Sequence, residues 1–184
     1  MKNVILDGTP ILMTSLSNWT YSNVRLGDDV ISSIRYYNIG VNGYLKQSPV
    51  VKLSSNSSYD VIFSYRLKNA ISLLECKVIL KVLYSDDSVD TILIPLVPEG
   101  ILSNANWITY KSTFTVDNEK SVRGFELEFS NNGVTTELHT TEIGIFYDDS
   151  IATNDQYNPN EFQDNVILYG LDADKPRLRW CDWN

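Results

Sequence analysis

The chain has 184 residues, a length that suits one domain or one domain with a sizeable appendage. Its net charge of −8 and its pI near 4.6 exclude the basic surface that binding to nucleic acid or to an anionic membrane surface requires. No run approaches the roughly 20 apolar residues of a membrane-spanning helix, so no membrane insertion is expected.

Apolar and polar residues alternate with period two through most of the chain, which predicts β-strands. In residues 59–65 this alternation places Tyr59, Val61, Phe63 and Tyr65 on one face. Residues 77–84 are apolar on both faces apart from their lysines, which predicts a central strand with a partly covered outer face. Further strands are predicted at residues 113–116 and 125–129. No segment has a convincing helical stripe.

Clusters of Asn, Asp, Ser and Gly separate these runs and predict turns. Residues 85–88 stand between two apolar runs and predict a hairpin, and Asn42-Gly43 predicts a turn before residues 44–47. The remaining turn signals are residues 56–58 and 131–133. Strands at regular spacing without helices predict an all-β, antiparallel sandwich or barrel.

The composition changes after about residue 149. Residues 151–160 are polar and rich in turn formers, like a linker, and residues 166–169 read as a short strand. We therefore predict a sandwich domain at 1–149 and an extension at 150–184. The tail holds Arg179, Trp180 and Trp183, which either dock on the domain's own surface or anchor a protein partner.

The two cysteines, Cys76 and Cys181, form no metal pattern and no disulfide framework. Cys76 lies in a strand-like run and is expected to be a buried thiol, with Cys181 near the surface. A bridge between them would require an oxidising compartment.

Catalytic signatures are weak. The single histidine, His139, has no nucleophile motif to partner, and one His with two distant cysteines does not suit a zinc site. Acidic pairs exist, but adjacent acids in turns are usually solvated, and Glu126 and Glu128 are expected on the solvent face of a strand. No catalytic residue is predicted, and the chain is not expected to be an enzyme.

Acidic dipeptides stand at both ends of the predicted domain. Asp28 and Asp29 precede most of the strands, and Asp148 follows the last one. Calcium prefers several oxygen ligands, so these residues are candidates for a structural Ca²⁺ site if their loops meet. No cofactor is required by anything in the sequence.

The order of features from Leu16 to Tyr147 carries a family resemblance. An early Trp19 is followed by Gln47 before residues 48–53, by the Tyr-x-Val-x-Phe segment at 59–63, by Trp107-x-x-Tyr110 and by a final strand at 142–147. This order resembles the galactose-binding-domain-like jelly roll of carbohydrate-binding modules. Related sandwiches serve as structural modules of bacteriophage virions.

The resemblance implies a β-sandwich of jelly-roll type and a site for glycans. Ligand-binding residues expected on it are aromatic: Tyr36, Tyr37, Tyr44, Trp107 and Tyr110, with Tyr21 considered for the same reason. For Trp19 and Trp107, a position in the core is an alternative interpretation to a position on the ligand face. Family members often complete a calcium site with an Asp in the final strand. Here Glu142 and Asp148 flank that strand instead.

The resulting hypothesis is a non-catalytic, virion-associated binding module, such as a tail, baseplate, head-fibre or decoration protein. It would contact glycans or other virion or cell-surface proteins and form a homo-oligomer or larger assembly. The alternative is a stand-alone bacterial carbohydrate-binding module, and a glycoside-active enzyme ranks below both. The first residues contain no secretory signal. The protein is therefore expected in a virion or outside the cell after synthesis in the cytoplasm.

Overall fold

The computed structural model describes residues 2–8, 15–29, 34–70, 75–96, 106–117 and 119–147. Within them lie ten strands: β1 (Lys2–Asn3), β2 (Thr20–Asp29), β3 (Ile34–Gln47), β4 (Val50–Leu53), β5 (Ser58–Lys68), β6 (Cys76–Tyr84), β7 (Val89–Leu96), β8 (Ile108–Thr115), β9 (Val122–Asn131) and β10 (Glu137–Tyr147). No described residue belongs to a helix that could cross a membrane. The predicted all-β class is confirmed.

The strands pair antiparallel in the order β7-β6-β9-β3-β10-β5-β8, and β3 turns this sheet into two layers. The first half of β3 pairs with β10, where Tyr37 lies opposite Thr140. Its second half pairs with β9, where Leu45 lies opposite Phe129. We call β7, β6, β9 and the end of β3 the first layer, and the start of β3 with β10, β5 and β8 the second layer. Strand β2 follows β3 along its length, β4 borders β9, and β1 borders β10.

The core lies between the two layers and is rich in aromatic rings. Phe63 of β5 meets Phe129 of β9 edge to face, with ring centroids 5.2 Å apart. Strands β5 and β9 are not neighbours in the sheet, so this contact joins the layers. Trp19 is also buried and packs against Tyr37 at 5.5 Å, which confirms its interpretation as a core residue.

The hairpin predicted at residues 85–88 joins β6 and β7. The amide of Asp87 donates to the Tyr84 carbonyl at 3.2 Å, and the amide of Tyr84 donates to the Ser88 carbonyl at 3.0 Å. Asp87 has φ 66°, as the last residue of a three-residue loop with a bulge requires. Strand β6 lies between β7 and β9 with a half-buried outer face, so the predicted central strand is confirmed.

The turn predicted at Asn42-Gly43 is wrong, because both residues lie inside the continuous strand β3. Asn42 has φ 52°, and Asn23 on the neighbouring strand has φ 50°, where the register between β2 and β3 shifts. Asn tolerates positive φ, so it serves a bulge as well as a turn. The bulge lets β3 pass from one layer to the other without ending.

Cys76 is fully buried, and its thiol donates to Asn131 Oδ1 at 3.4 Å. Burial raises the pKa of this thiol to about 12, so it remains protonated and unreactive, as expected of a packing residue. Cys181 and the predicted domain boundary at residue 149 lie outside the described residues. The division into 1–149 and 150–184 stays a prediction.

Candidate binding site

The outer face of the second layer carries a group of polar and aromatic side chains. Side chains alternate along a strand, so Tyr36, Arg66 and His139 point away from the core that their neighbours Tyr37 and Leu67 enter. The register brings them together, because His139 of β10 lies opposite Arg66 of β5. On this face β3, β5 and β10 place polar and aromatic side chains next to one another.

Tyr36, Arg66, Trp107 and His139 form what we call the aromatic platform. The Tyr36 ring stacks on the His139 ring at 4.4 Å with an interplanar angle of 18°, and Trp107 meets Tyr36 edge-on at 5.7 Å. The Arg66 guanidinium lies 5.1 Å from the Tyr36 ring centroid and 4.7 Å from that of Trp107. These are cation–π distances, so one cation holds both rings in place. Gly27 makes room for the platform, since a Cβ there would lie 2.6 Å from the Tyr36 ring.

Arg66 is buried, with 7% of its surface exposed. Its charge is paired with a carboxylate beside the platform. Its Nη1 lies 2.7 Å from Asp29 Oδ2, and its Nε donates to His139 Nδ1 at 2.9 Å. A buried guanidinium is tolerated when it is paired and hydrogen-bonded in this way. Asp29 is thus the counterion of Arg66.

The bond from Arg66 determines the tautomer of His139. Because Nδ1 accepts, the ring proton is on Nε2, which lies 3.2 Å from Glu137 Oε2 and donates to it. Burial lowers the pKa of His139 to about 4, although the hydrogen bond to Glu137 opposes this shift. At pH 7 the imidazole is therefore neutral, with a single defined orientation.

Glu137 connects the platform to an adjoining cleft, because it bonds to His139 and also lines the cleft. Burial raises its pKa, but hydrogen bonds from His139 and Asn38 and the charge of Arg25 outweigh burial, so the pKa lies below its ordinary value. Asn38 Nδ2 donates to Glu137 Oε2 at 3.3 Å, and Arg25 Nη2 lies 3.5 Å from Oε1. Glu137 is consequently an ionised acceptor whose position is set before any ligand arrives.

The cleft has a volume of about 340 Å³ and opens where β2 bulges away from β3. Two features shape it: the Asn23 amide donates to the Val41 carbonyl at 2.9 Å, and a Cβ on Gly40 would lie 2.6 Å from the same amide. A side chain at Gly40 would fill the space. The cleft is lined by Tyr21, Asn23, Val24, Arg25, Asn38, Gly40 and Glu137.

The cleft combines one exposed ring with fixed donors and acceptors. Tyr21 is 48% exposed, and the Arg25 side chain is 73% exposed, so both are accessible to a ligand. The Glu137 carboxylate accepts hydrogen bonds, and the guanidinium of Arg25 donates them. An apolar ring beside paired donors and acceptors suits a ligand with an apolar face and several hydroxyl groups.

The predicted ligand residues are divided between three places. Tyr36 and Trp107 meet in the platform, and both are half-buried. Tyr37 is fully buried, and its hydroxyl donates to the Asp7 carbonyl at 2.7 Å, so the core and not the ligand face encloses it. Tyr110 also faces the core, where it stacks on Phe63 at 4.9 Å.

Tyr44 lies on the outer face of the first layer, opposite Ser22 and Ser130. It is therefore on the other side of the sandwich from Tyr36. Tyr21, named with the others from the sequence, is the aromatic residue that lines the cleft.

The candidate calcium ligands are held by arginines. Asp28 Oδ1 accepts from Arg35 Nε at 3.0 Å, and Asp29 pairs with Arg66. Asp148 lies outside the described residues, and in the described part of the chain no cluster of three or more metal-ligating side chains occurs. Glu142 is buried with φ 53° and accepts from Ser64 Oγ at 2.6 Å. The predicted partner residues Arg179, Trp180 and Trp183 also lie outside the described residues.

Sequence reasoning missed the polar residues of the site: Arg25, Asn38, Arg66 and Glu137, and it interpreted His139 as an ordinary histidine. One signal was available, because Glu137 and His139 are two residues apart and so share a strand face. Their connection to Arg66 depends on the pairing of β10 with β5, which no local pattern reveals.

No protein-family profile matches the sequence, and no curated protein does. The fold is similar to that of the bacteriophage CBA120 tailspike protein 4 enzymatically active domain, at 13% identity and a TM-score of 0.61, over 79% of this chain and 21% of that one. The chain thus spans about a fifth of the tailspike chain.

Two carbohydrate-binding modules share the fold over nearly their full length. A family 16 carbohydrate-binding module matches at 12% identity and a TM-score of 0.56, covering 78% of this chain and 99% of that one. TmCBM61, solved in complex with β-1,4-galactotriose, matches at 12% identity and a TM-score of 0.53, covering 80% and 100%. The predicted jelly-roll resemblance is confirmed, and identities this low show the fold alone.

Proposed function

We propose that this chain is a non-catalytic glycan-binding module and that the cleft beside Glu137 receives the glycan. The observation that carries the proposal is the cleft itself, where the exposed Tyr21 ring adjoins the Arg25 and Glu137 side chains in a space of about 340 Å³. The fold similarity to TmCBM61, which binds a galactotriose, supports the same class of ligand.

Binding follows from preorganisation. The Tyr21 ring packs against the C–H face of a sugar, while Glu137 accepts from one hydroxyl and Arg25 donates to a neighbouring one. Asp29, Arg66 and His139 form a hydrogen-bonded chain that keeps Glu137 in position. A ligand that meets groups already in place loses less entropy on binding.

The composition of the cleft supports binding without hydrolysis. Glycoside hydrolysis uses two carboxyl groups on either side of the scissile bond, roughly 5–10 Å apart. Glu137 is the one carboxylate among the described residues that line the cleft. Of the acidic pairs noted in the sequence, Glu126 is engaged by Lys81 at 2.6 Å on the outer face of the first layer.

The proposed setting is a virion, as a tail, baseplate, head-fibre or decoration component. The fold similarity to the tailspike domain supports this setting, and the similarity to the two modules equally supports a stand-alone bacterial binding module. Mass spectrometry of purified particles distinguishes the two. Presence of the chain in particles is expected, and glycan binding by a chain absent from particles would favour the stand-alone module.

The cleft is tested by affinity electrophoresis in gels that contain neutral polysaccharides, galactan and xylan first, with calorimetry on any that retard the chain. Tyr21→Ala removes the ring and Glu137→Gln removes the charge while keeping the shape. Each is expected to weaken binding about tenfold, a loss of about 1.4 kcal/mol. Tyr44→Ala removes the same side chain from the opposite layer and should bind like the wild type. Retardation by no polysaccharide, or binding that both cleft variants retain, would refute the proposal.

A further inference from the structure

Among the described residues, strand β7 forms a sheet edge whose outward residues Val89, Thr91 and Leu93 carry no charge. Among the described strands it pairs with β6 alone. Exposed edges are normally guarded by charged side chains, as Lys111 guards β8. From Thr91 to Leu96, β7 carries no charge. Its most exposed large side chains are aliphatic, with Val89 47% and Leu93 61% exposed.

The hydrogen bonds of the hairpin show which backbone groups of β7 face outward. Tyr84 N donates to Ser88 O, so Ser88 faces β6. In an antiparallel pair alternate residues face the same neighbour, and the β6–β7 register has no shift. Val89, Thr91, Leu93 and Pro95 therefore direct their backbone groups away from the sheet. Pro95 belongs to this outward set, where its missing N–H costs no bond with β6.

We infer that β7 is a dimerisation edge, on which β7 of a second copy of this chain pairs in the antiparallel direction. The pairing is centred on Thr91, which lies opposite Thr91 of the second copy. Val89 of each copy then lies opposite Leu93 of the other copy, so the exposed aliphatic side chains cover one another. This register matches outward residues with outward residues and permits about six backbone hydrogen bonds. Pro95 lies beyond the paired segment.

The charges around the edge favour a second copy as the occupant. The chain has a net charge of −8, but the outward residues Val89, Thr91 and Leu93 are uncharged, and Asp90 between them accepts from the Tyr84 hydroxyl at 2.6 Å. The hairpin turn carries the exposed Asp86 and Asp87, the second of which also pairs with Arg123 at 2.6 Å, and Lys77 lies at the other end, opposite Pro95. An antiparallel two-fold pairing places Lys77 of one copy beside the acidic turn of the other, as a self-complementary interface requires.

The dimer goes beyond the proposed function and does not depend on it. The cleft lies on β2, β3 and the start of β10, and two strands separate β7 from β3 in the sheet order. Both clefts stay open in the dimer. Two clefts on one dimer raise the apparent affinity for a ligand with repeating units, by multivalency.

The test uses the full chain in sedimentation-equilibrium experiments over a range of concentrations. The wild type is expected to reach twice the 20.9 kDa mass of one chain. Thr91→Pro blocks the centre of the pairing at a position whose N–H does not face β6, and Leu93→Lys adds an edge charge. Each should raise the dimer dissociation constant at least tenfold with an unchanged circular dichroism spectrum. Thr115→Lys on the edge of β8 is the matched control and should dimerise normally.

Amide hydrogen exchange followed by NMR gives a second readout. Val89, Thr91 and Leu93 should be protected at high concentration and exchange rapidly on dilution, whereas Asp90 and Ile92 should be protected throughout. The inference is overturned by a wild type that remains a single chain at every concentration. An oligomer unaffected by both variants also overturns it. Protection of the three outward amides in the monomer would assign the edge to another segment of this chain and equally overturn it.

Discussion

At the scale of single residues, His139 is the most constrained polar group of the site. It is 1% exposed, stacked on Tyr36, and lies between a donor on Arg66 and an acceptor on Glu137. A second proton would have to enter at Nδ1, which Arg66 already occupies as a donor. Lys68 adds a further positive charge nearby. The geometry thus disfavours the imidazolium and keeps the ring neutral at pH 7.

This arrangement predicts a pH-dependent stability. The pKa of His139 falls from 6.5 in the unfolded chain to about 4 in the folded one, so the unfolded state binds the proton more readily. The contribution is fully present above pH 6.5 and is lost as the pH falls towards 4. The lowered pKa of Glu137 acts in the same direction at still lower pH. The loss amounts to about 3 kcal/mol for the histidine.

Urea unfolding between pH 7.5 and 4 measures this effect in the wild type and in His139→Gln. The variant is expected to be less stable at pH 7.5 but to lose less on acidification, so that the two curves converge. Parallel curves would contradict the assigned role of His139, since they would place the pH dependence in other groups.

At the scale of elements, strand β3 owes its passage between layers to Asn131 at the end of β9. The buried Asn131 amide donates to the carbonyls of Ile39, Gly40 and Thr136, at 3.0, 3.0 and 2.7 Å. Its carbonyl accepts from the Gly133 amide at 2.9 Å. The bonds to Ile39 and Gly40 satisfy carbonyls at the bend of β3, and those to Gly133 and Thr136 fix the connection from β9 to β10. One side chain thereby holds the wall of the cleft around Gly40.

Asn131→Leu is expected to destabilise the fold by about 2–4 kcal/mol, because it leaves several buried carbonyls without donors. Chemical denaturation measures the change, with Asn132→Leu as the control on the exposed neighbouring residue. Glycan affinity of the folded fraction should fall as well, since Gly40 lines the cleft. Equal stability of the two variants would show that Asn131 does not support the bend.

At the scale of the whole molecule, aromatic contacts between the layers hold the sandwich together. The contact of Phe63 with Phe129 and that of Tyr59 with Phe125 both join β5 to β9. Since no hydrogen bond joins these two strands, packing alone sets their separation. The position of Arg66 on the outer face depends on this packing, because Phe63 anchors the same strand from inside.

Phe63→Ala is expected to cost about 3–5 kcal/mol, the range for a buried ring. Thermal or urea unfolding measures the loss. Phe114→Ala is the matched control, since Phe114 is half-buried at the edge strand β8 and stacks on Tyr59. It should cost clearly less. Equal losses would contradict the assignment of Phe63 to the centre of the core.

Much of the fold follows from the sequence because local patterns encode strands and turns. The alternation at residues 59–65 correctly predicted which face of β5 enters the core, and the polar cluster at residues 85–88 correctly predicted a hairpin. The turn predicted at Asn42-Gly43 was wrong, because the positive φ that Asn tolerates suits a turn and a bulge alike. Tyr36 and Tyr37 were both predicted to bind a ligand, but neighbours on a strand point to opposite faces, and Tyr37 is the one that enters the core.

The sequence by itself determined that this chain is an all-β sandwich with a buried Cys76, and it favoured a core position for Trp19. Only the tertiary structure decided that Glu137, His139 and Arg66 form one chain of hydrogen bonds, that Tyr44 and Tyr36 lie on opposite layers, and that β7 pairs with β6 alone among the described strands. The physical reason is the range of the interactions. Period-two alternation divides the side chains of one strand between two faces, but pairing between distant strands decides which faces meet and which edges stay unpaired.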